Sequence, residues 1–213
     1  MMRGPGKSLP IYIAATVMMA ASGGALAQGD ACGVERKTGV HALTEPTWNR
    51  LNAIYEEVGE EKYDEAFEDL TRMLERAGRD SYLQAVVSQA LAQVEWARGN
   101  YADSLAYFEQ AVALDILPDQ AHFALMYQIA QLYYMQERHD EALRKLDLWL
   151  CMVPPETVTS AAYVLQASIF IRKNDFTGAL GAIDTAIAMD EDPKEQWYQL
   201  KLAAQFELGD YPE

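Results

Sequence analysis

The chain has 213 residues, with 32 Asp and Glu against 17 Lys and Arg, a formal net charge of −15 and a sequence pI near 4.5. That acidic balance excludes nonspecific nucleic-acid binding and attraction to anionic lipid as default roles.

The amino-terminal residues differ from all that follow. Arg3 and Lys7 flank the start of an apolar run from Leu9 to Ala21, and small residues close the segment at Ala25-Leu26-Ala27. This is the pattern of a secretory signal peptide over residues 1–27, cleaved after Ala27, with an apolar part too short to span a bilayer. The Ala-Leu-Ala site argues against an uncleaved anchor, and Cys32 lacks the preceding Leu-centred box of a lipoprotein. The expectation is an exported protein, periplasmic and not inserted in a membrane once cleaved.

Residues 28–44 contain Gly and Thr without periodicity and read as a flexible leader. Cys32 lies in this leader and Cys151 far downstream, in a compartment that permits disulfides. Only one intramolecular pairing exists, and it would staple the leader to the third helix pair. The competing reading makes Cys151, beside Trp149, Leu150 and Met152, an ordinary buried thiol.

From residue 45 onward one pattern recurs four times at intervals of 38, 38 and 37 residues. A small residue (Ala66, Ser104, Ala142, Ala179) follows by three positions a ring at Tyr63, Tyr101, His139 or Phe176, and precedes by four an apolar residue at Leu70, Phe108, Leu146 or Ile183. Twelve positions upstream lies another small residue, Ala92, Ala130 or Ala167, with Ile54 in the first copy. Helices that pack closely need small side chains where their axes approach and larger ones on either side. Between the two small positions lies a turn, at which Gly99 and Asn174 suit a left-handed helix end. Each copy is an antiparallel helix pair. The pairs are expected at about 45–78, 80–115, 119–153 and 157–190, with Thr44, Asp119 and Thr157 as helix-capping residues. A further helix runs from about residue 193 to 208, and no segment carries a strand signal.

These residues resemble the tetratricopeptide repeat, whose period is about 34 residues. The resemblance implies an all-α, right-handed solenoid of helix pairs, four pairs plus one further helix, over residues 45–213. The extra residues per period point to a lengthened second helix or inter-repeat loop. The turn Gly209-Asp210-Tyr211 stands where the second helix of a fifth unit, partial over 193–213, would begin, so more repeats or another domain are expected to follow.

No catalytic constellation is apparent, and neither metal nor cofactor is expected. His41, His122 and His139 are too scattered for a helical metal pair, and there is no phosphate loop or His-Glu-x-x-His. Glu60 and Glu61 belong to an exposed turn, where nothing raises a carboxyl pKa for acid catalysis. The carboxylates crowded between residues 45 and 75 suit either a basic partner or a solvated helix face.

A groove is the better candidate. The resemblance implies that the first helix of each pair lines the concave face, and helical spacing then selects Trp48, Leu51 and Tyr55; Gln89, Gln93 and Trp96; Tyr127, Gln131 and Tyr134; and Val164, Ser168, Ile171 and Arg172. Rings supply area and amides orientation, a surface suited to a peptide or helix. Longer stretches, above all Pro193-Lys194-Glu195-Gln196-Trp197-Tyr198-Gln199-Leu200, resemble exported bacterial tetratricopeptide proteins regarded as components of the TonB system. That resemblance implies a periplasmic adaptor for a protein segment of the cell envelope, with TonB-type transport proteins as partners. The alternatives are a self-associating envelope assembly protein and a docking module of a larger chain.

Overall fold

The computed structural model describes Cys32, Arg36 and residues 38–209. The signal segment and the end of the chain after Gly209 lie outside the described residues.

Nine α-helices follow in order among the described residues: α1 (Glu45–Gly59), α2 (Tyr63–Ala77), α3 (Ser81–Ala97), α4 (Tyr101–Ala113), α5 (Asp119–Met135), α6 (His139–Met152), α7 (Ser160–Arg172), α8 (Phe176–Met189) and α9 (Glu195–Leu208). They form four antiparallel pairs and one further helix, stacked in a row. The residues of closest approach are sealed: Ala66, Ser104, Ala142 and Ala179 are at most 1 % exposed, as are Ile54, Ala92, Ala130 and Ala167. In the second pair the contact is a bond, Ser104 Oγ donating to the Ala92 carbonyl at 2.8 Å across twelve residues.

The four turns share one geometry. Glu61, Gly99, Glu137 and Asn174 have φ of 62°, 81°, 59° and 58°. The next residue in each case bonds back across the helix end: Lys62 N–H to Glu57, Asn100 to Glu95, Arg138 to Tyr133 and Asp175 to Phe170, at 2.8–2.9 Å. This left-handed closure satisfies carbonyls that the helix end would leave open and reverses the chain within three residues. Gly99 meets the steric demand and Asn174 tolerates it, so Glu61 and Glu137 carry the strain of a left-handed residue with a Cβ.

The core follows the stack rather than a single centre. One apolar cluster joins α1 to α3 through Leu51, Leu70 and Leu91, a second fills the middle around Phe108, Ile129 and Leu146, and a third gathers Ile183 and Trp197. Val86 and Tyr107 border both of the first two clusters. Among the described residues the two buried carboxylates are paired: Asp69 with Arg50 and Arg72, Glu95 with Arg98 and the amide of Asn100.

Two expectations need correction, the caps of the third and fourth pairs and the lengthened second helix; the alternative of longer inter-repeat loops holds. Thr44 caps α1 by accepting from Thr47 N–H, but Pro118 occupies the cap position before Asp119, and Thr157 sits in a 3-10 turn (Pro155–Thr157). Pro154 and Pro155 hold the chain out of the helix there, and α7 begins only at Ser160. The extra residues of the long period lie in the first helices α3 and α5, at 17 residues each, and in the connections 114–118 and 153–159. The second helices, at 13 to 15 residues, are not lengthened. The leader is tied down where it is described: Cys32 forms a disulfide with Cys151, their Cα atoms 5.7 Å apart, and the Arg36 side chain is 5 % exposed.

Candidate protein-interaction surface

The first helices α3, α5 and α7 carry little charge, unlike α1, α2 and α6. Across α3, α5 and α7 the only Asp, Glu, Lys or Arg are Glu95, Asp119 and Arg172. Glu95 is buried in its ion pair and Asp119 bonds Arg36, which leaves Arg172 at one end of an otherwise uncharged wall. The second helices α2 and α6 carry most of the charge nearby, including Asp64, Glu65, Glu68, Asp140, Glu141 and Arg144.

The chosen groove residues divide by burial. Trp48 is 47 % exposed, and Arg172 is exposed. Tyr55, Gln89, Gln93, Trp96, Tyr127, Gln131, Tyr134, Val164, Ser168 and Ile171 are half-buried. Leu51 does not belong with them: at 2 % exposure it is core, because the spacing that selects a helix face does not tell which side the neighbouring unit covers. Val164 packs on the cluster around Ala167 and Ile183, and Ser168 Oγ donates to the Val164 carbonyl at 2.8 Å.

The rings are held before any ligand arrives. Trp96 meets Tyr101 edge-on at 5.2 Å, Tyr134 leans on His139 at 5.8 Å, and Tyr127 lies 5.0 Å from Trp149. In the first two pairs the ring that closes each turn props the last ring of the preceding helix, so the turn pattern and the wall are parts of one device. Burial raises the phenol pKa of Tyr55 and of Tyr127, the latter opposed by a hydrogen bond with Gln131. Tyr133, on the far side of α5, is pushed up to about 12 by burial and by its bond to the Glu109 carboxylate. All three are neutral phenols at ordinary pH. Such a wall offers area and amide donors and acceptors, with an exposed charge only at its Arg172 end.

Among the described residues no three His, Cys, Asp or Glu are grouped to hold a metal ion, and no helix is long and apolar enough to cross a membrane.

A second polar centre was not legible in the sequence. Arg36 Nε donates to Asp115 at 2.7 Å, one terminal nitrogen to Asp119 at 2.5 Å and the other to the Leu117 carbonyl at 3.0 Å, with Phe123 5.7 Å from the guanidinium carbon. His122, 4 % exposed, lies alongside, and burial together with the Arg36 charge lowers its imidazole to about 4. Nothing in the spacing of the leader marks Arg36. The only available signal is the pair of cysteines.

Stacked pairs with small residues at each crossing define an α-helical repeat solenoid. Family models described as tetratricopeptide repeat match residues 43–116 and 90–155, together more than half of the chain, and the chain belongs to that family. Its members bind proteins or peptides. Similar solved structures include MamA from Desulfovibrio magneticus RS-1, at 14 % identity and a TM-score of 0.64, covering 79 % of this chain and 89 % of that one. A tetratricopeptide repeat protein from Parabacteroides merdae ATCC 43184 aligns at 15 % identity and a TM-score of 0.65, over 79 % of this chain and 62 % of its own. At such identities the likeness is one of fold. No curated protein matches the sequence.

Proposed function

We propose that this protein is a non-enzymatic adaptor that captures a polypeptide segment on the uncharged wall of α3, α5 and α7. The observation that carries this reading is the contrast between that wall, with its rings and amides, and the charged helices α1, α2 and α6. An interface core depleted of charge and furnished with rings and amides suits a partner segment that is itself uncharged where it docks. Rings already propped by their neighbours lose little freedom on binding, which lowers the cost of ordering a flexible partner.

The finer reading places the adaptor in the periplasm, serving TonB-dependent outer-membrane transport. Its support is the signal-like segment at residues 1–27, the disulfide, which suits an oxidising compartment, and the resemblance of residues 193–200 to exported proteins of that system. Crosslinking in native cells, followed by purification of the full-length protein, tests it. TonB-type proteins or their motor subunits should be recovered, and Gln93→Glu with Gln131→Glu should cut that recovery at least tenfold while leaving helicity intact. Recovery untouched by the two added charges would remove the wall from the account, and absence of such partners would remove the transport link.

A second reading, self-association, is favoured by α9, where Tyr198, Leu202 and Leu208 are 45 to 54 % exposed. Molar mass by light scattering that rises with concentration, and that Leu202→Glu abolishes, would support it.

A further inference from the structure

Arg36 occupies a site that the body of the protein builds without the leader. Both carboxylates, the carbonyl of Leu117 and the ring of Phe123 come from one stretch, residues 115–123, between the end of α4 and the first turn of α5. The three acceptors meet Nε and both terminal nitrogens of a single guanidinium, a fork that an ammonium group cannot reproduce. Asp115 holds its carboxylate there from a left-handed backbone, φ 47°, a strained conformation for a residue with a Cβ. Beside it lies a buried polar group without a partner: the His122 side chain is 5 % exposed, and its Nδ1, with no hydrogen bond, is 3.7 Å from Asp115 Oδ1. Arg36, Asp115 and His122 border an open recess of about 210 Å³ whose other walls are Val112, Met126, Leu148, Met152 and, at one side, Lys145. Charge recognition and a mainly apolar recess therefore adjoin.

The occupant is held from both sides. Cys32 is bonded to Cys151 at the end of α6, while His41 stacks on Tyr82 at 5.3 Å before the chain enters α1. The described points of the leader thus touch the third unit at Cys32, the connection between second and third at Arg36 and the second at His41. A side chain tethered at both ends competes at high effective concentration with any arginine from outside.

We propose that residues 115–123 form a guanidinium socket, filled in cis by Arg36, which reduction of Cys32–Cys151 opens to an arginine flanked by an apolar residue on a partner polypeptide. The reductant is a dithiol. It transfers two electrons and two protons, Cys32 and Cys151 become thiols, and the dithiol closes to its own disulfide. Arg36 then remains tethered only through α1 and exchanges with the competitor, whose apolar neighbour enters the recess beside His122. This socket is separate from the uncharged wall, and it stands or falls independently of what that wall binds.

The test uses the full chain and two labelled peptides, acetyl-Gly-Leu-Arg-Leu-Gly-amide and its Lys twin, read by fluorescence anisotropy. The Arg peptide should bind Arg36→Gln at least tenfold more tightly than it binds the oxidised wild type, and at least tenfold more tightly than the Lys peptide binds the same variant. Adding Asp115→Asn and Asp119→Asn should erase both differences. Reduced wild type should move toward Arg36→Gln, with faster amide exchange in residues 38–44. If Arg36→Gln does not fold, the reduced wild type decides alone. Equal binding of Arg and Lys peptides would reduce the site to surface electrostatics, and reduced wild type indistinguishable from oxidised would make Arg36 a permanent structural ion pair.

Discussion

The four left-handed turn residues give the sharpest view at the residue scale. Gly99 accepts φ 81° without penalty, whereas Glu137 at 59° and Glu61 at 62° adopt a conformation that crowds their Cβ against the backbone. Glu137→Gly should therefore stabilise the chain by about 0.5–1 kcal/mol, the relief of strain exceeding the added entropy of the unfolded chain, and Gly99→Ala should cost about 1 kcal/mol. Chemical denaturation with unchanged slope would check both. Ala142 makes the opposite case: at 0 % exposure between two helix axes it has no room, and Ala142→Leu should cost about 1–3 kcal/mol. His122 adds a pH dependence. Its folded pKa of about 4 lies below the ordinary 6.5, so between those values the unfolded chain binds the extra proton. Stability is then complete above pH 6.5 and declines as pH falls toward 4. Melting temperatures across that range should flatten in His122→Gln, and an unaltered profile would contradict the assignment.

At the scale of elements, periodicity made the helices legible because it is the same physics that packs them. The twelve-residue step from Ala92 to Ser104 is a statement about two axes touching, and the Ser104 bond to the Ala92 carbonyl is that contact. Where the sequence misled, the deciding neighbour was remote. Leu51 has the spacing of a groove residue yet is covered by the next unit, and Thr157 has the chemistry of a cap yet follows two prolines that postpone the helix. Arg36 was invisible because a leader without periodicity says nothing about where it docks. The last helix, α9, buries Trp197 against α8 but leaves Leu202 54 % exposed. With a neighbour on one side, α9 should exchange its amides at least tenfold faster than α5 and α6, which are packed on both. Equal protection in dilute solution would mean that α9 is covered by something else.

For the whole molecule, a solenoid of this kind is held by contacts between neighbours alone, and its stability is close to a sum over units. The disulfide breaks that locality by joining residues 119 apart in sequence. Closing a loop of that length stabilises the folded chain by roughly 3–5 kcal/mol on the chain-entropy account, so reduction should lower the melting temperature by several degrees and make unfolding less cooperative along the stack. Charge is concentrated on α1, α2 and α6, while α3, α5 and α7 leave one surface on which a charged partner meets little repulsion. A photo-crosslinking residue placed in living cells at Gln93 or Gln131 on that surface, and at the exposed Gln110 of α4 as a control, tests this division most directly. One discrete protein adduct shared by positions 93 and 131 and absent at 110 is expected; adducts missing from the first two, or equally abundant at the third, would contradict a docking wall on α3 and α5.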